Sequence, residues 1–462
     1  MYFSFETIQT LVVGFIVIYV ILWIREPRLC KNEPPLVPYK IPIIGHTIDF
    51  VFNAKTFFSE CRKQYGDTFN LHVFGQVITV AGNKALREVF KAGDSFDLHE
   101  ANKDMLPVHH LLPRVNGSSN IPHLSKMVRE EITTKLSLYT GRMQEQLMIA
   151  INKEIGDCPT NMVVGEEIAK HEDIVNAFAN IATEFGTFFS LPPFLSFIHP
   201  KVHQQVSTLP IRFGWNPVRK DINTMKKYMR PLDVIEYYLN EPGYGTTVIT
   251  DEYLNYICEV LVVLIFGSVH STSRQIAGAL YDFAGRPELW DDLYEEQVKI
   301  DKECNGVLTL EYIDKMVKLD SLVRESIRSF GDIAGLIHKC MDDSFTFKNN
   351  TTIPKGRMVY IYINDSHYDK LYGSEPKSFL PYYGLNNKKL ATSVDKNYIA
   401  FGAGKHACPG RFLAVNEIKI CLHKLILNYH LKTESGKINE KKNIGPFAVL
   451  PSTGIIFENR RK

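Results

Sequence analysis

FGAGKHACPGRFLAVNEIKI, residues 401–420, decides how the rest of the chain is read. Gly402, Gly404 and Gly410 permit close backbone approach, Pro409 and Gly410 interrupt the chain just after Cys408, and the pattern predicts an amphipathic helix from about Arg411. Cys408 therefore falls at a helix N-terminus. There, unpaired N–H groups and the helix dipole favour a thiolate, which is the form of cysteine that binds metal. The stretch is a poor dinucleotide loop, because the third glycine of G-x-G-x-x-G would fall at Ala407. The plainer alternative is a buried cysteine in a glycine-rich turn.

Working outward, the eight cysteines at 30, 61, 158, 258, 304, 340, 408 and 421 are never closer than thirteen positions, so no C-x-x-C zinc or thioredoxin-like pair exists. Scattered thiols of this kind fit a reducing compartment, and most serve as small buried hydrophobes. With 462 residues, 45% hydrophobic and 23% charged, the chain can bury a large core, which excludes disorder and a disulfide miniprotein. A formal charge of +2 gives no electrostatic reason to expect nucleic acid.

Residues 7–24, TIQTLVVGFIVIYVILWI, carry no charge and are just long enough to span a hydrocarbon core. The start, MYFSFE, lacks the positive region of a signal peptide, so residues 1–26 are expected to form a retained membrane anchor. Arg25, Arg28 and Lys31 follow the segment while only Glu6 precedes it, which leaves the body in the cytosol and the sequons at Asn116, Asn349, Asn350 and Asn364 unused. Residues 27–44 hold Pro34, Pro35, Pro38 and Pro42 and read as a stiff, extended hinge. Residues 45–462 form the body.

The body is mainly α by pattern, with helices expected around 56–64, 84–92, 124–153, 251–285, 309–329 and 411–428. Strand signals cluster at 70–80, turning at Gly75-Gln76, and at 345–365, with Asn349-Asn350 and Pro354-Lys355-Gly356 as turns. Strands do not alternate with helices, so a largely α protein with small accessory β-sheets is expected rather than a doubly wound sheet.

Phe401, Gly404, Cys408 and Gly410 match F-x-x-G-x-x-x-C-x-G, the haem-binding signature of the cytochrome P450 family, and with His406 in GKHACPGR and the N-terminal apolar segment the chain resembles its membrane-anchored fungal members. His406 stands where the family usually has arginine, and could donate to a haem propionate. In LDSLVRESIRSF, Glu325 and Arg328 are similar to the family's structural E-x-x-R, placed on one helix face by their i, i+3 spacing. The family's further arginine, in a P-x-R-F segment, is replaced: FLPYYG at 379–384 has Tyr382 and Tyr383 there. In LVVLIFGSVHSTSRQIAGALYDFAGRPELW, Gly267–Thr272 occupies the place of the family's A/G-G-x-D/E-T-T/S segment. By that register His270 replaces the acid and Ser271 the alcohol, with Thr272 following, so these three are the candidate catalytic proton carriers.

Further expectations come from the resemblance alone. The cofactor would be haem b with Cys408 as axial thiolate, a ligand that promotes O–O cleavage. Arg129, and His338 on a short strand, are candidate propionate partners. With no G-x-G-x-x-G or Walker loop and no length for a flavin domain, electrons from NADPH would arrive through a separate flavoprotein, an NADPH-cytochrome reductase. It would dock near Cys408 against Lys405, Arg411 and Lys419. The implied activity is monooxygenation of an apolar small molecule (terpenoid, sterol or lipid-like) by O2, at the endoplasmic reticulum membrane. A haem-thiolate isomerase or dehydratase acting without a reductase, or a haem-binding non-enzyme, are the alternatives that the altered Gly267–Thr272 segment leaves open.

Overall fold

The computed structural model of the chain describes residues 13–17, 20, 27–101 and 271–460, apart from 28, 42–43, 99, 330, 332–334, 368–377, 405–406, 409, 439–440, 445–446, 450 and 452. The described chain gathers into two compact units, one holding the residues up to 101 together with Gly335–Asp365, the other holding 271–331 and 366–460.

The first unit is built on a five-stranded sheet. Its helices are α1 (Thr47–Phe52), α2 (Ala54–Tyr65) and α3 (Ala85–Lys91), and its strands β1 (Thr68–Val73), β2 (Gln76–Ala81), β3 (Phe96–Asp97), β4 (Gly335–Cys340), β5 (Ser344–Thr346), β6 (Thr352–Pro354) and β7 (Met358–Tyr362). The order β1-β2-β7-β4-β3 puts β7, MVYIY, in the middle, and all five of its residues are buried, as a strand covered on both faces requires. On α2 the residues Ala54, Phe58 and Cys61 recur at helical spacing and are buried, with Phe58 edge-on to Tyr362 at 5.0 Å.

The expected hairpin at 70–80 forms, but its turn lies one residue earlier, at Phe74 and Gly75. Both have positive φ (50° and 73°), the geometry of a turn whose twist matches that of the paired strands. Phe74 tolerates this because its N–H bonds Thr47 Oγ1 at 3.0 Å. The turns at Asn350 (φ 65°) and Gly356 (φ 78°) fall where the sequence puts them.

The proline segment is sewn onto β1: Asn70 N–H donates to Pro35 O (2.8 Å), Val37 N–H to Asn70 O (3.0 Å), and Glu33 pairs with Arg357 at 2.5 Å in a site closed to water. Of the expected anchor only residues 13–17 and 20 are described. They are helical, and Val13, Phe15, Ile16, Val17 and Val20 are exposed. Among the described residues no helix is long and apolar enough to cross a membrane.

The second unit is helical. It comprises α4 (Ser271–Ala284), a 3-10 turn (Pro287–Leu289), α5 (Trp290–Glu303), α6 (Leu310–Asp314), α7 (Val317–Ser329), α8 (Tyr383–Asn386) and α9 (Arg411–Asn428), and the last two residues of a short helix at Ile363–His367 whose first three belong to the first unit. Short strands β8 (Tyr429–Thr433), β9 (Lys442–Ile444), β10 (Phe447–Val449) and β11 (Ile455–Asn459) pair as β8 with β11 and β9 with β10. Helix α4 packs on α7 and α9, and α5 on α9. Phe283, Leu293, Leu322, Val323, Ile418 and Leu422 close the core between them. Burying each such side chain contributes about 1.5–3 kcal/mol relative to leaving it exposed. The helix expected over 309–329 is two helices, because Lys315 and Met316 form a turn between α6 and α7.

Candidate functional site

The Cys408 loop is built by two glycines in the left-handed region, Gly402 (φ 70°) and Gly404 (φ 63°), where a side chain would strain the backbone. These turns bring Cys408 N–H back onto Phe401 O at 2.7 Å, while Gly402 N–H donates to Ile399 O at 2.9 Å. Phe401 itself packs against the helical core, so the loop is pinned at its base.

Helix α9 then starts with no side chain capping it. The backbone N–H groups at its start, of Gly410 and Arg411, favour the charged form of the Cys408 sulfur. The thiol is exposed on one side, yet the surrounding protein is dense enough that burial pushes its pKa up. The two N–H groups and the Arg411 guanidinium pull it back toward the thiolate. A cationic ligand on the open side would complete that shift.

These residues fit a haem iron. A Cβ placed on Gly410 would meet nothing nearer than Cys408 Sγ, at 4.0 Å, so packing within the protein does not demand a glycine there. The room beside the sulfur is what a metal-bound group on that thiolate needs, and the donor set is a single soft sulfur with N–H support behind it.

Helix α7 carries the second matched motif. Every residue from Leu319 to Arg328 is buried, so its charges must be satisfied inside. Arg328 forks onto Glu325 through Nε (2.7 Å) and Nη2 (2.6 Å), and also donates to His367 O and Ser378 O, both at 2.8 Å. Burial pushes the Glu325 carboxyl up, and the Arg328 fork and the Leu380 N–H (2.6 Å) oppose that. The pair thus ties α7 to the chain around 378–380.

On α4, Thr272 is buried and Ser271 half-buried, on a helix packed against α9, which begins at Arg411. His338 belongs to the first unit, in β4, buried edge-on to Phe90 at 5.6 Å. His270, His406 and Arg129 lie outside the described residues, as does Lys405. Thus the second unit brings together Phe401, Gly404, Cys408 and Gly410 in one loop and Glu325 with Arg328 in one pair.

One expectation about charge is corrected. Lys419 is not a surface cation near Cys408: it is 3% exposed and its ammonium faces Asp320 at 3.5 Å. Arg411 stacks on Phe412 (4.4 Å) and donates to Cys408 O (3.0 Å), so its head is held at the loop.

Sequence reasoning missed Arg324 and His367. His367 is buried and stacked on Tyr398, at 5.5 Å between ring centres. Its Nε2 accepts Ile399 N–H (3.1 Å), so Nδ1 carries the proton and donates to Arg328 O (3.0 Å). Burial lowers its pKa to about 3. The signal available was the density of charge on an otherwise apolar α7, which implies internal partners elsewhere in the chain.

The helical unit thus presents an exposed cysteine just ahead of a helix N-terminus, in a loop shaped by two positive-φ glycines. Comparison with known proteins is consistent with the motif. The family pattern described as Cytochrome P450 matches residues 123–458, and the chain belongs to the cytochrome P450 family. Cytochrome P450 monooxygenase 71 of Postia placenta is 34% identical over 223 residues, covering 46% of this chain and 44% of that protein. Cytochrome P450 monooxygenase paxQ of Penicillium paxilli is 33% identical over 207 residues, covering 43% and 39%. The chain thus spans less than half the length of these two relatives. Lanosterol 14-alpha demethylase of Candida tropicalis is 22% identical over an alignment of 498 positions, covering 93% of this chain and 90% of that protein. Membership of the family implies haem as the cofactor.

Proposed function

We propose that the chain is a haem-thiolate monooxygenase that inserts one atom of O2 into an apolar substrate, terpenoid, sterol or lipid-like, with electrons from NADPH delivered by a separate flavoprotein reductase. The observation that carries this reading is Cys408: an exposed thiol just ahead of α9, inside the F-x-x-G-x-x-x-C-x-G loop. The names of the fungal monooxygenases support the reaction class, and the sterol demethylase supports an apolar substrate.

When bound, haem supplies the dioxygen activation and one-electron chemistry that amino-acid side chains lack. The chain's own residues do the rest. Cys408 would hold the iron as a thiolate, with the N–H groups of Gly410 and Arg411 favouring the sulfur's charge. Thr272, with Ser271 beside it and His270 before it in the chain, would supply the hydroxyl and imidazole groups that carry protons. His406, Arg129 and His338 are proposed to bind the propionates. Residues 1–26 are proposed to anchor the protein in the endoplasmic reticulum membrane with the catalytic body in the cytosol, an assignment supported by the exposed apolar helix at 13–17.

The test is turnover under 18O2 with NADPH and a purified reductase against a panel of diterpenes, sterols and fatty acids. One 18O atom in the product, and no product without reductase, is the expected result. Product formed from a peroxide substrate with neither NADPH nor reductase would replace this reading with an isomerase or dehydratase.

A further inference from the structure

Helix α7 sets three side chains toward the segment that leads to Cys408. Ser321 Oγ accepts Leu385 N–H at 3.0 Å, and Asp320 accepts Ala391 N–H at 2.9 Å. Gly384 lies so close to the helix that an added Cβ would stand 3.0 Å from Ser321 Oγ and 3.1 Å from Arg324 Cδ. The third side chain is Arg324. It is 2% exposed, and its guanidinium reaches off its own helix to donate to Leu390 O (2.8 Å) and to the Asp395 carboxylate (3.1 Å). Its planar head covers the ring of Tyr398 at 3.7 Å, and Tyr398 in turn donates to Ala391 O at 3.1 Å.

From Tyr398 backbone hydrogen bonds of the described residues lead toward the cysteine. Tyr398 and Asp395 exchange backbone hydrogen bonds at 3.2 Å, Ile399 N–H is received by His367, Gly402 N–H closes on Ile399 O, and Cys408 N–H closes on Phe401 O. Tyr383, on α8 in the same segment, stands where the resembled pattern carries an arginine.

Resting on the haem-thiolate reading, we propose that Arg324 is a positioning residue. It fastens residues 385–398 to α7 and so fixes the backbone that presents Cys408, with the guanidinium supplied by the helix and the acceptors by the loop. A bidentate, stacked guanidinium suits this task better than lysine, whose point charge cannot hold a carbonyl, a carboxylate and a ring face together.

The experiment uses full-length protein in detergent and compares wild type, Arg324→Met, Arg324→Lys and Asp395→Asn. Arg324→Met keeps the apolar stem while removing the fork, and Asp395→Asn alters only the loop side. Two quantities are read: hydrogen-exchange protection of the Ala391, Ile399 and Gly402 amides, and the fraction of haem giving a thiolate-type reduced carbon monoxide band. In Arg324→Met, protection at these three amides falls by at least about tenfold while amides in α5 keep theirs. The thiolate fraction falls by at least about half, Asp395→Asn shifts both quantities the same way, and Arg324→Lys lies between. Wild-type protection at Ile399 and Gly402 in both Arg324→Met and Asp395→Asn overturns the proposal, as does a loss spread evenly over α5 and the loop. If Arg324→Met does not fold, Asp395→Asn decides by the same criteria. A wild type that shows no thiolate band overturns the haem-thiolate reading instead, whatever the amide pattern.

Discussion

His367 carries its proton on Nδ1, held between a carbonyl that accepts it and an N–H that donates to Nε2, and in that setting only the neutral ring fits. Its folded pKa of about 3 lies below the ordinary histidine value of about 6.5. Between those values the unfolded chain takes up a proton that the folded chain refuses, so stability falls as pH drops through that window and is fully present above it. The slope attributable to His367 approaches about 1.4 kcal/mol per pH unit. His367→Asn keeps an N–H toward Arg328 O and removes the titration. Urea midpoints measured at about pH 7 and about pH 5.5 are expected to fall more steeply in wild type than in the variant. His423, also buried and with a pKa lowered to about 4, is present in both and cancels in the difference. Equal slopes would show that His367 takes up its proton as freely in the fold as out of it.

At the scale of elements, the start of α7 shows where sequence reading stops. Nothing in residues 309–329 breaks a helix locally, since the stretch contains neither glycine nor proline. The break is made from outside: Glu296, on α5, accepts Lys318 N–H (2.7 Å) and Leu319 N–H (3.0 Å), so it caps α7 from a neighbouring helix. Glu296→Ala is expected to lower stability by about 1–3 kcal/mol, because two N–H groups lose their acceptor, and Glu296→Gln to recover part of it. Calorimetric unfolding of the two variants decides this, and an unchanged midpoint in Glu296→Ala would contradict the cap.

Where the governing contacts are local, the reading succeeds: α2, α3 and α9 follow from apolar spacing, and the turns at Asn350 and Gly356 from residues that accept positive φ. The Cys408 loop was legible for the same reason, because its glycines and the helix start lie within ten residues. Lys419 was misread as a surface cation because its partner, Asp320, lies on another helix, and Arg324 passed unnoticed because its acceptors lie some seventy residues on.

For the whole molecule, the sequence foresaw a mainly α body with small sheets, and the described residues resolve it into a sheet-based unit and a helical one. The proline segment is more than a spacer, since its Glu33–Arg357 pair and the Asn70 hydrogen bonds make it part of the first unit. The described residues that link α7 through His367 to the Cys408 loop belong to the second unit. The central claim is that Cys408 is the axial ligand, and the reduced carbon monoxide difference spectrum tests it most directly, in wild type and in Cys408→Ala. A thiolate-type Soret band in the first and none in the second is the predicted result; the same band in Cys408→Ala would contradict the assignment.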